Sequence, residues 1–378
     1  MSSISPAPTE LRDRLRRLID ELRPLEAQAG DGEAVPTEVV LEVRRRAREA
    51  GFYSIGVTKE DGGGGLGPLG MAVLREEIAY RGSPFGRHIL GGAVGVLSAC
   101  KGEQRDRYLL PVVRGEKSYS FALTEPRTHS AVSGFQTVAR REGDAFVLNG
   151  VKSFVSNGQH SDFTIVVAQV EENGGPGGVT LFLVDRDMPG LEIGRIFSTM
   201  EGSGHCEQIY HDVRLSASNV LGEVGGGLSQ NFAIINENRL SVAASAVGTA
   251  QRVLEMTLEY VKKPRSGRDT LADRDSIQMT LGDMALEVTA ARTLLHEAAA
   301  AVEAGHNVPA EIAMAKLYAA EMAGRVVDKA LQIHGGSAYQ QGHPLEVLYR
   351  QVRGWRLAEG ATEVLLAFVG REMLRRQG

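Results

Sequence analysis

The feature that most constrains the fold is a change in the hydrophobic period along the chain. Apolar residues first recur at helical spacing, give way to short runs of β-branched and aromatic residues, and then return to helical spacing. A chain of 378 residues is long enough for two or three domains. Helices, then strands, then helices predict three of them, at residues 1–117, 118–227 and 228–378.

The first of these segments is predicted to be helical. Helices are expected over residues 11–25, 39–50, 74–80, 88–99 and 105–113. A run of glycines at residues 62–67 lacks the Lys-Ser/Thr pair that closes a phosphate-binding loop. We therefore interpret this run as a connection between helices.

The middle segment is predicted to form a β-domain. Strands are expected over residues 119–123, 136–140, 145–148, 163–170 and 179–184. The sequence Glu-Gly-Asp at 142–144 predicts a hairpin turn, and residues 171–178 are polar and glycine-rich, which predicts a loop.

The last segment returns to helical spacing. One apolar face runs from Leu240 to Val261, where Pro264 predicts the helix end, and a second runs from Leu281 to Leu295. Residues 311–333 are alanine-rich and apolar nearly all round, which predicts a helix buried on several sides. Glu321 and Arg325 are expected to pair on it, four residues apart.

Charge and cysteine content exclude several classes of protein. The net charge of −5 argues against a surface built to bind nucleic acid or an anionic membrane, since both need basic residues. Cys100 and Cys206 cannot form a disulfide framework, and the nine histidines do not pair at ligand spacing, so no metal site is expected. Residues 1–10 are polar, so we expect no signal peptide and a cytoplasmic location.

Four short segments carry polar side chains or bare backbone where a strand or helix is expected to end. They are residues 121–126, 148–158, 332–336 and 350–360. Taken singly, each also has a purely structural interpretation: a strand end, a core aromatic, a glycine C-cap or a solvated carboxylate. In the second segment, Phe154 and Ser156 are two residues apart and are expected to face the same side of a strand.

In this order and spacing, the four segments resemble the acyl-CoA dehydrogenase family of flavoproteins. The resemblance extends over nearly the whole chain, from the glycine run at 62–67 to the C-terminal helix. It implies an N-terminal helical domain, a middle β-barrel-like domain and a C-terminal four-helix bundle that enclose FAD, usually in a homotetramer. Some members of the family form mixed tetramers, and a few have lost catalysis. A partner subunit that only completes a neighbour's FAD site is therefore an alternative.

The reaction implied by the resemblance removes two hydrogens across the α and β carbons of an acyl-CoA. Glu359 matches the carboxylate that takes the α-proton, while the β-hydrogen leaves as hydride to flavin N5. Because an α C–H is a weak acid, the thioester oxygen must be polarised and the carboxylate desolvated. Some relatives carry the base where this chain has Asn238, and an amide cannot accept the proton, which favours Glu359. An electron-transfer flavoprotein is the implied electron acceptor, although the sequence leaves oxygen open.

The resemblance also implies cofactor and substrate contacts. Phe154 would lie against the isoalloxazine ring, Ser156 would bond to it near N5, and Arg239 would lie near the CoA nucleotide. The residues implied to bind FAD are Thr124, Ser130, Phe154, Ser156, Arg265, Gln332, Gly335 and Gly336. The last three would reach FAD across a subunit interface, which predicts at least a dimer. The residues implied to bind substrate are Ser130, Asn236, Arg239, Ala358 and Gly360.

Several positions depart from the family pattern. Residues 127–131 keep only Ser130 of the usual Ala-Gly-Ser-Asp, and the Phe expected to stack on adenine after residue 263 is missing. These changes weaken FAD contacts between subunits, so we expect either a mixed tetramer or looser FAD binding.

Other departures concern the substrate. Ala358 replaces a bulky aromatic beside the base, and residues 91–93 are small, which predicts a branched, cyclic or otherwise bulky acyl group. Asn236 replaces an Asp that often lies near the CoA adenine, so an acyl group on an acyl-carrier protein stays open as the substrate.

Overall fold

The computed structural model describes residues 6–28, 35–91, 95–126, 134–172, 175–264 and 269–376. Its contacts divide the chain into two compact units. The first, called here the helical unit, comprises Met1–Ala27, Leu66–Gly86 and Ile235–Gly378. The second, the sheet unit, comprises Gln28–Gly65 and Arg87–Ile234. The predicted domain boundaries at residues 117 and 227 remain a proposal.

Helices form both ends of the described chain. In chain order they are α1 (Pro6–Glu26), α2 (Thr37–Glu49), α3 (Pro68–Arg81), α4 (Gly86–Leu90), α5 (Leu110–Val113), α6 (Gly227–Val261), α7 (Asp275–Glu303), α8 (Pro309–His334), α9 (Pro344–Trp355) and α10 (Thr362–Arg375). A π-helical turn at Arg105–Leu109 precedes α5, and short 3₁₀ turns occupy Gly95–Ala99, Ala217–Asn219, Leu271–Asp273 and Gly335–Ser337. None of the helices in the described part of the chain is long and apolar enough to cross a membrane.

The core of the helical unit is made by α6, α7 and α8, together with α9. Small and branched apolar side chains alternate along these helices, which lets them approach closely. The fully buried residues include Ala243, Val247 and Val253 on α6, Met284 and Leu295 on α7, and Ala319, Ala323 and Val326 on α8. The apolar faces predicted for α6 and α7 are therefore the faces that pack.

The sheet unit is built on one mixed sheet. Its strands are β1 (Tyr119–Ala122), β2 (Val138–Glu142), β3 (Ala145–Ser156), β4 (Phe163–Glu172), β5 (Gly175–Asp185), β6 (Leu191–Thr199), β7 (Gly202–Ser216) and β8 (Val220–Leu221). They are hydrogen-bonded in the order β6-β7-β3-β2-β4-β5-β8, with β1 paired to β4. The β1–β4 and β2–β4 pairs are parallel and the others antiparallel.

Two sequence predictions about secondary structure were wrong. The helix expected over residues 88–99 ends at Leu90, because Gly91 takes a left-handed φ of 77°. The loop expected over residues 171–178 was wrong where the structure describes it, because residues 171–172 end β4 and residues 175–178 begin β5, with Glu172 opposite Gly175. Two long strands, β6 and β7, were not predicted. Both carry glycines and charged residues that obscure the period of two.

Candidate active site

Glu359 lies in the turn that joins α9 to α10, in the helical unit. Its φ is 55° and that of Gly360 is 104°, so two consecutive residues have positive φ. A side chain other than glycine in this region costs about 1–3 kcal/mol and is typical of functional sites. A Cβ on residue 360 would lie 3.0 Å from Cδ2 of Leu365, so glycine fits there where larger residues would not.

Helix α6 holds Glu359 through both its side chain and its backbone. The Asn238 amide donates to Oε1 of Glu359 at 3.2 Å. The buried Arg239 donates from Nε to the Glu359 carbonyl at 3.1 Å and from Nη1 to Oδ1 of Asn236 at 3.2 Å. Asn238 thus contacts the carboxylate from the position at which some relatives carry the base.

Helix α8 contacts the C-terminal side of the same turn. Nζ of Lys316, a residue only 1% exposed, donates to the Gly360 carbonyl at 2.8 Å. Glu321 accepts from Nε of Arg356 at 2.7 Å and from Oγ1 of Thr362 at 2.6 Å. The predicted pair between Glu321 and its neighbour four residues on is wrong, because Arg325 bonds to Glu287 instead.

Burial and the neighbouring polar and charged groups shift the pKa of Glu359 in opposite directions. Burial raises the pKa of its carboxyl above the ordinary value, while Arg239, Lys316 and the Asn238 amide oppose that rise. Burial lowers the pKa of Lys316 to about 8, and the neighbouring Arg239 adds to this effect. A half-buried carboxylate with a raised pKa is a stronger base than an exposed one, which suits a general base.

The structure therefore brings together five residues that the sequence singled out: Glu359, Gly360, Asn236, Asn238 and Arg239. Arg239, for which a position near the CoA nucleotide is predicted, binds the backbone of Glu359 here. Ala358, just before Glu359, is exposed. The sequence analysis missed Lys316 and the role of Glu321. The available signal was a lysine within the otherwise apolar stretch at residues 312–320 of α8.

In the sheet unit, Phe154 lies on a β-bulge. The register between β3 and β7 shifts between Lys152 and Val155, and Phe154 has a φ of 54°. Its side chain is 54% exposed and stacks on Phe197, with ring centroids 4.2 Å apart and an angle of 18° between the planes. Ser156 is also exposed and Val155 between them is buried, as the sequence predicted.

Thr124 lies beside this bulge. Its carbonyl accepts from the backbone N–H of Ser153 at 2.8 Å, and its side chain is exposed. The next residue, Glu125, forms a buried ion pair with Nζ of Lys152 at 2.7 Å. The structure therefore places Thr124, Phe154 and Ser156 close together in the sheet unit.

Ser156, His205 and Phe197 lie side by side on three neighbouring strands, β3, β7 and β6. Ser156 is opposite His205, and His205 is opposite Phe197, so the three share one face of the sheet. Nδ1 of His205 is buried and has no hydrogen-bond partner in the described parts of the chain. The exposed aromatic ring of Phe154 on this face fits a flat aromatic ligand such as a flavin.

The remaining predicted residues lie elsewhere. Gln332, Gly335 and Gly336 are exposed at the C-terminal end of α8, where Gly335 has a φ of 66° and caps the helix. Ser130, Arg265, Gly92 and Ala93 lie outside the described residues. The predicted contacts of all these residues with FAD or substrate remain predictions.

Comparison with known proteins identifies the class. Models of the N-terminal, middle and C-terminal domains of acyl-CoA dehydrogenase match residues 5–116, 120–213 and 225–374. The chain belongs to the acyl-CoA dehydrogenase family, a family of flavoprotein oxidoreductases, as the resemblance predicted. Its fold, with N-terminal, middle and C-terminal domains of that family, is likewise confirmed.

Individual relatives differ in what their names say they do. The chain is 32% identical to a 3-(aryl)acrylate reductase of Clostridium sporogenes, over 97% of this chain and 99% of that protein. It is 31% identical to subunit CarC of a caffeyl-CoA reductase–Etf complex from Acetobacterium woodii, over 90% and 91%. Butyryl-CoA dehydrogenase from Megasphaera elsdenii has a similar structure, with a TM-score of 0.88 and 28% identity over 99% of this chain and 100% of that one.

Proposed function

We propose that this chain is an FAD-dependent enzyme that removes hydrogens from the α and β carbons of an acyl-CoA, with Glu359 as the base. The observation that carries the proposal is the arrangement at Glu359, whose carboxylate lies in a left-handed turn bonded by α6 and α8. Its pKa is raised by burial. In this left-handed turn, a glutamate serves no structural purpose that a glycine would not serve at lower cost.

The residues around the turn suit the first half of the reaction. The Glu359 carboxylate would take the α-proton of the thioester, and partial desolvation strengthens it as a base. Asn238 donates to one carboxylate oxygen, Oε1. Arg239 holds the Glu359 carbonyl, so the backbone stays fixed while the proton moves.

We further propose that the sheet unit binds the flavin. Thr124, Phe154 and Ser156 would contact the ring system, and His205, a residue that the sequence analysis did not foresee, lies opposite Ser156 on the neighbouring strand. FAD, when bound, would accept the β-hydrogen as hydride. Contacts of Gln332, Gly335 and Gly336 with FAD in a second subunit, and hence a tetramer, remain part of the proposal.

The names of the relatives indicate a class of substrate and raise the question of the direction of the reaction. Two of the most similar are named for an aryl acrylate and for caffeyl-CoA, which supports a bulky acyl group over a short straight chain. Both are named as reductases, and the same residues would serve the reverse reaction with Glu359 returning the proton. One belongs to a complex with Etf, which supports an electron-transfer flavoprotein as the partner. An acyl-carrier protein substrate stays open.

The test compares Glu359→Gln with Glu363→Gln, a matched change of an exposed residue on α10. Anaerobic mixing with butyryl-CoA and with 3-arylpropionyl-CoA is followed by flavin bleaching. Because a general base contributes about 10²–10⁴-fold, we expect Glu359→Gln to slow reduction at least about 100-fold with FAD still bound. The control should reduce normally. Normal reduction in Glu359→Gln would rule out the assignment, and preference for butyryl-CoA would refute the bulky substrate.

A further inference from the structure

Lys316 is a charged residue in an apolar place. It lies on α8 among buried neighbours, including Ala315 and Ala319, and is 1% exposed. Burying an ammonium is costly, and methionine would fill a similar volume without the charge. Packing alone therefore does not require a lysine at this position.

Its hydrogen bond is directed at the candidate base. Nζ donates to the carbonyl of Gly360 at 2.8 Å, and Gly360 directly follows Glu359. On the other side of the same turn, Arg239 donates to the carbonyl of Glu359. Two cations from two helices therefore hold two consecutive carbonyls of a turn in which both residues have positive φ. Such bonds can maintain a strained conformation that the local sequence would not adopt alone.

We propose that Lys316 is a positioning residue for Glu359, which it holds by fixing the turn through the Gly360 carbonyl. This inference rests on the proposed role of Glu359 as base. Lys316 does not need to touch substrate or cofactor.

Other charged groups share the environment of the turn. Arg239 on α6 and Lys316 on α8 both favour the ionised form of Glu359. Glu321, one and a half turns further along α8, opposes the loss of charge from Lys316 and is itself bonded to Arg356. Removing Lys316 leaves Arg239 as the cation next to Glu359, so the carboxylate should become harder to ionise without becoming permanently protonated.

The experiment uses the full-length protein with bound FAD and three variants. Lys316→Met removes both the charge and the hydrogen bond, while Lys316→Gln removes the charge and keeps a donor. Lys329→Met is the matched control, because Lys329 lies on the same helix and pairs with Asp283 and Glu287 away from the turn. The rate of flavin reduction is measured between pH 5 and 9 by anaerobic stopped flow, with FAD content and substrate Kd determined in parallel.

For Lys316→Met we expect a rate at least about 10-fold lower at pH 7, since small misplacements of a catalytic group cost up to about 100-fold. The midpoint of the acid limb should rise by about 0.5–1 pH unit, less than for a contact ion pair. FAD content and substrate Kd should stay within about twofold of wild type, because positioning the base affects the chemical step. Lys316→Gln should recover most of the rate while its midpoint stays shifted.

An unchanged midpoint and rate in Lys316→Met would overturn the inference and leave Glu359→Gln to decide the proposed function separately. Loss of folded protein in both Lys316 variants, with Lys329→Met intact, would assign Lys316 to stability alone and would also overturn it. Slow reduction in Lys316→Met together with normal reduction in Glu359→Gln would refute the proposed base instead.

Discussion

The ion pair between Lys152 and Glu125 provides the sharpest test of how the sheet unit stabilises Thr124, Phe154 and Ser156, the residues proposed to contact the flavin. The two side chains are 0% and 2% exposed, and Nζ of Lys152 also donates to the Leu123 carbonyl at 3.0 Å. The pair therefore lies directly under Thr124 and beside the bulge at Phe154. We predict that Lys152→Met destabilises the protein and releases FAD.

The magnitude follows from what the substitution leaves behind. Removing one partner of a buried ion pair typically costs about 3–5 kcal/mol, because the other charge stays buried. Here Glu125 keeps two backbone donors, the N–H groups of Gln136 at 2.7 Å and Thr137 at 3.0 Å. These bonds stabilise the carboxylate, so the lower end, about 3 kcal/mol, is expected. At about 2.1 cal/mol/K per residue, the 378 residues of the chain have an unfolding entropy of about 0.8 kcal/mol/K, so Tm should fall by about 4 °C.

Thermal unfolding of the FAD-bound protein, followed by circular dichroism, measures this effect. Lys101→Met, a change of an exposed lysine in the same unit, is the control and should leave Tm within about 1 °C. Free flavin in an ultrafiltrate reports whether FAD has dissociated because the region around Thr124 and Phe154 is disturbed. A Lys152→Met protein that melts with the control and keeps its FAD would refute the reasoning.

Two further predictions concern Glu359, the proposed base, and the β-bulge at Phe154. In the wild type, the rate of flavin reduction should rise with pH as Glu359 loses its proton, with a midpoint above the ordinary carboxyl value of 4.5 because burial raises its pKa; a flat stopped-flow profile from pH 5 to 8 would contradict this. Phe154→Gly should relieve left-handed strain of about 1 kcal/mol while losing the stacking on Phe197, itself worth about 0.5–1.5 kcal/mol. We therefore expect Tm to change little and FAD to bind more weakly, as measured by flavin fluorescence on titration; equally tight FAD binding would argue against a ring contact.

Much of the fold could be predicted because local pattern and tertiary packing agree in it. The period of 3.6 located α1, α2, α6, α7 and α8, and the apolar faces predicted for α6 and α7 are buried. The prediction failed where tertiary pairing overrides composition. Residues 175–178 contain three glycines and a proline, yet they pair with the end of β4. Glycine and proline have low strand propensity, so a strand end made of them leaves no periodic signal in one sequence.

The candidate site was predictable in part, for a similar reason. Glu359 and Phe154 were found from short motifs, which record residue identity and order. Lys316 was missed because its partner is a backbone carbonyl 44 residues away in sequence, and no side-chain pattern marks such a bond. The same holds for His205, whose significance depends on its strand neighbours Ser156 and Phe197 rather than on its own surroundings in sequence.

The two units stabilise a residue with positive φ in a similar way. Each presents a candidate functional side chain, Glu359 or Phe154, from a residue with positive φ, a conformation that costs energy and is abandoned unless the surroundings enforce it. Beside each lies a lysine with almost no exposed surface whose Nζ donates to a backbone carbonyl, Lys316 to Gly360 and Lys152 to Leu123. An ammonium can donate three hydrogen bonds, and in a low dielectric each is stronger than in water. A buried lysine is therefore an effective way to fix a strained backbone, and the cost of burying its charge should appear as lost function or stability when either one is replaced.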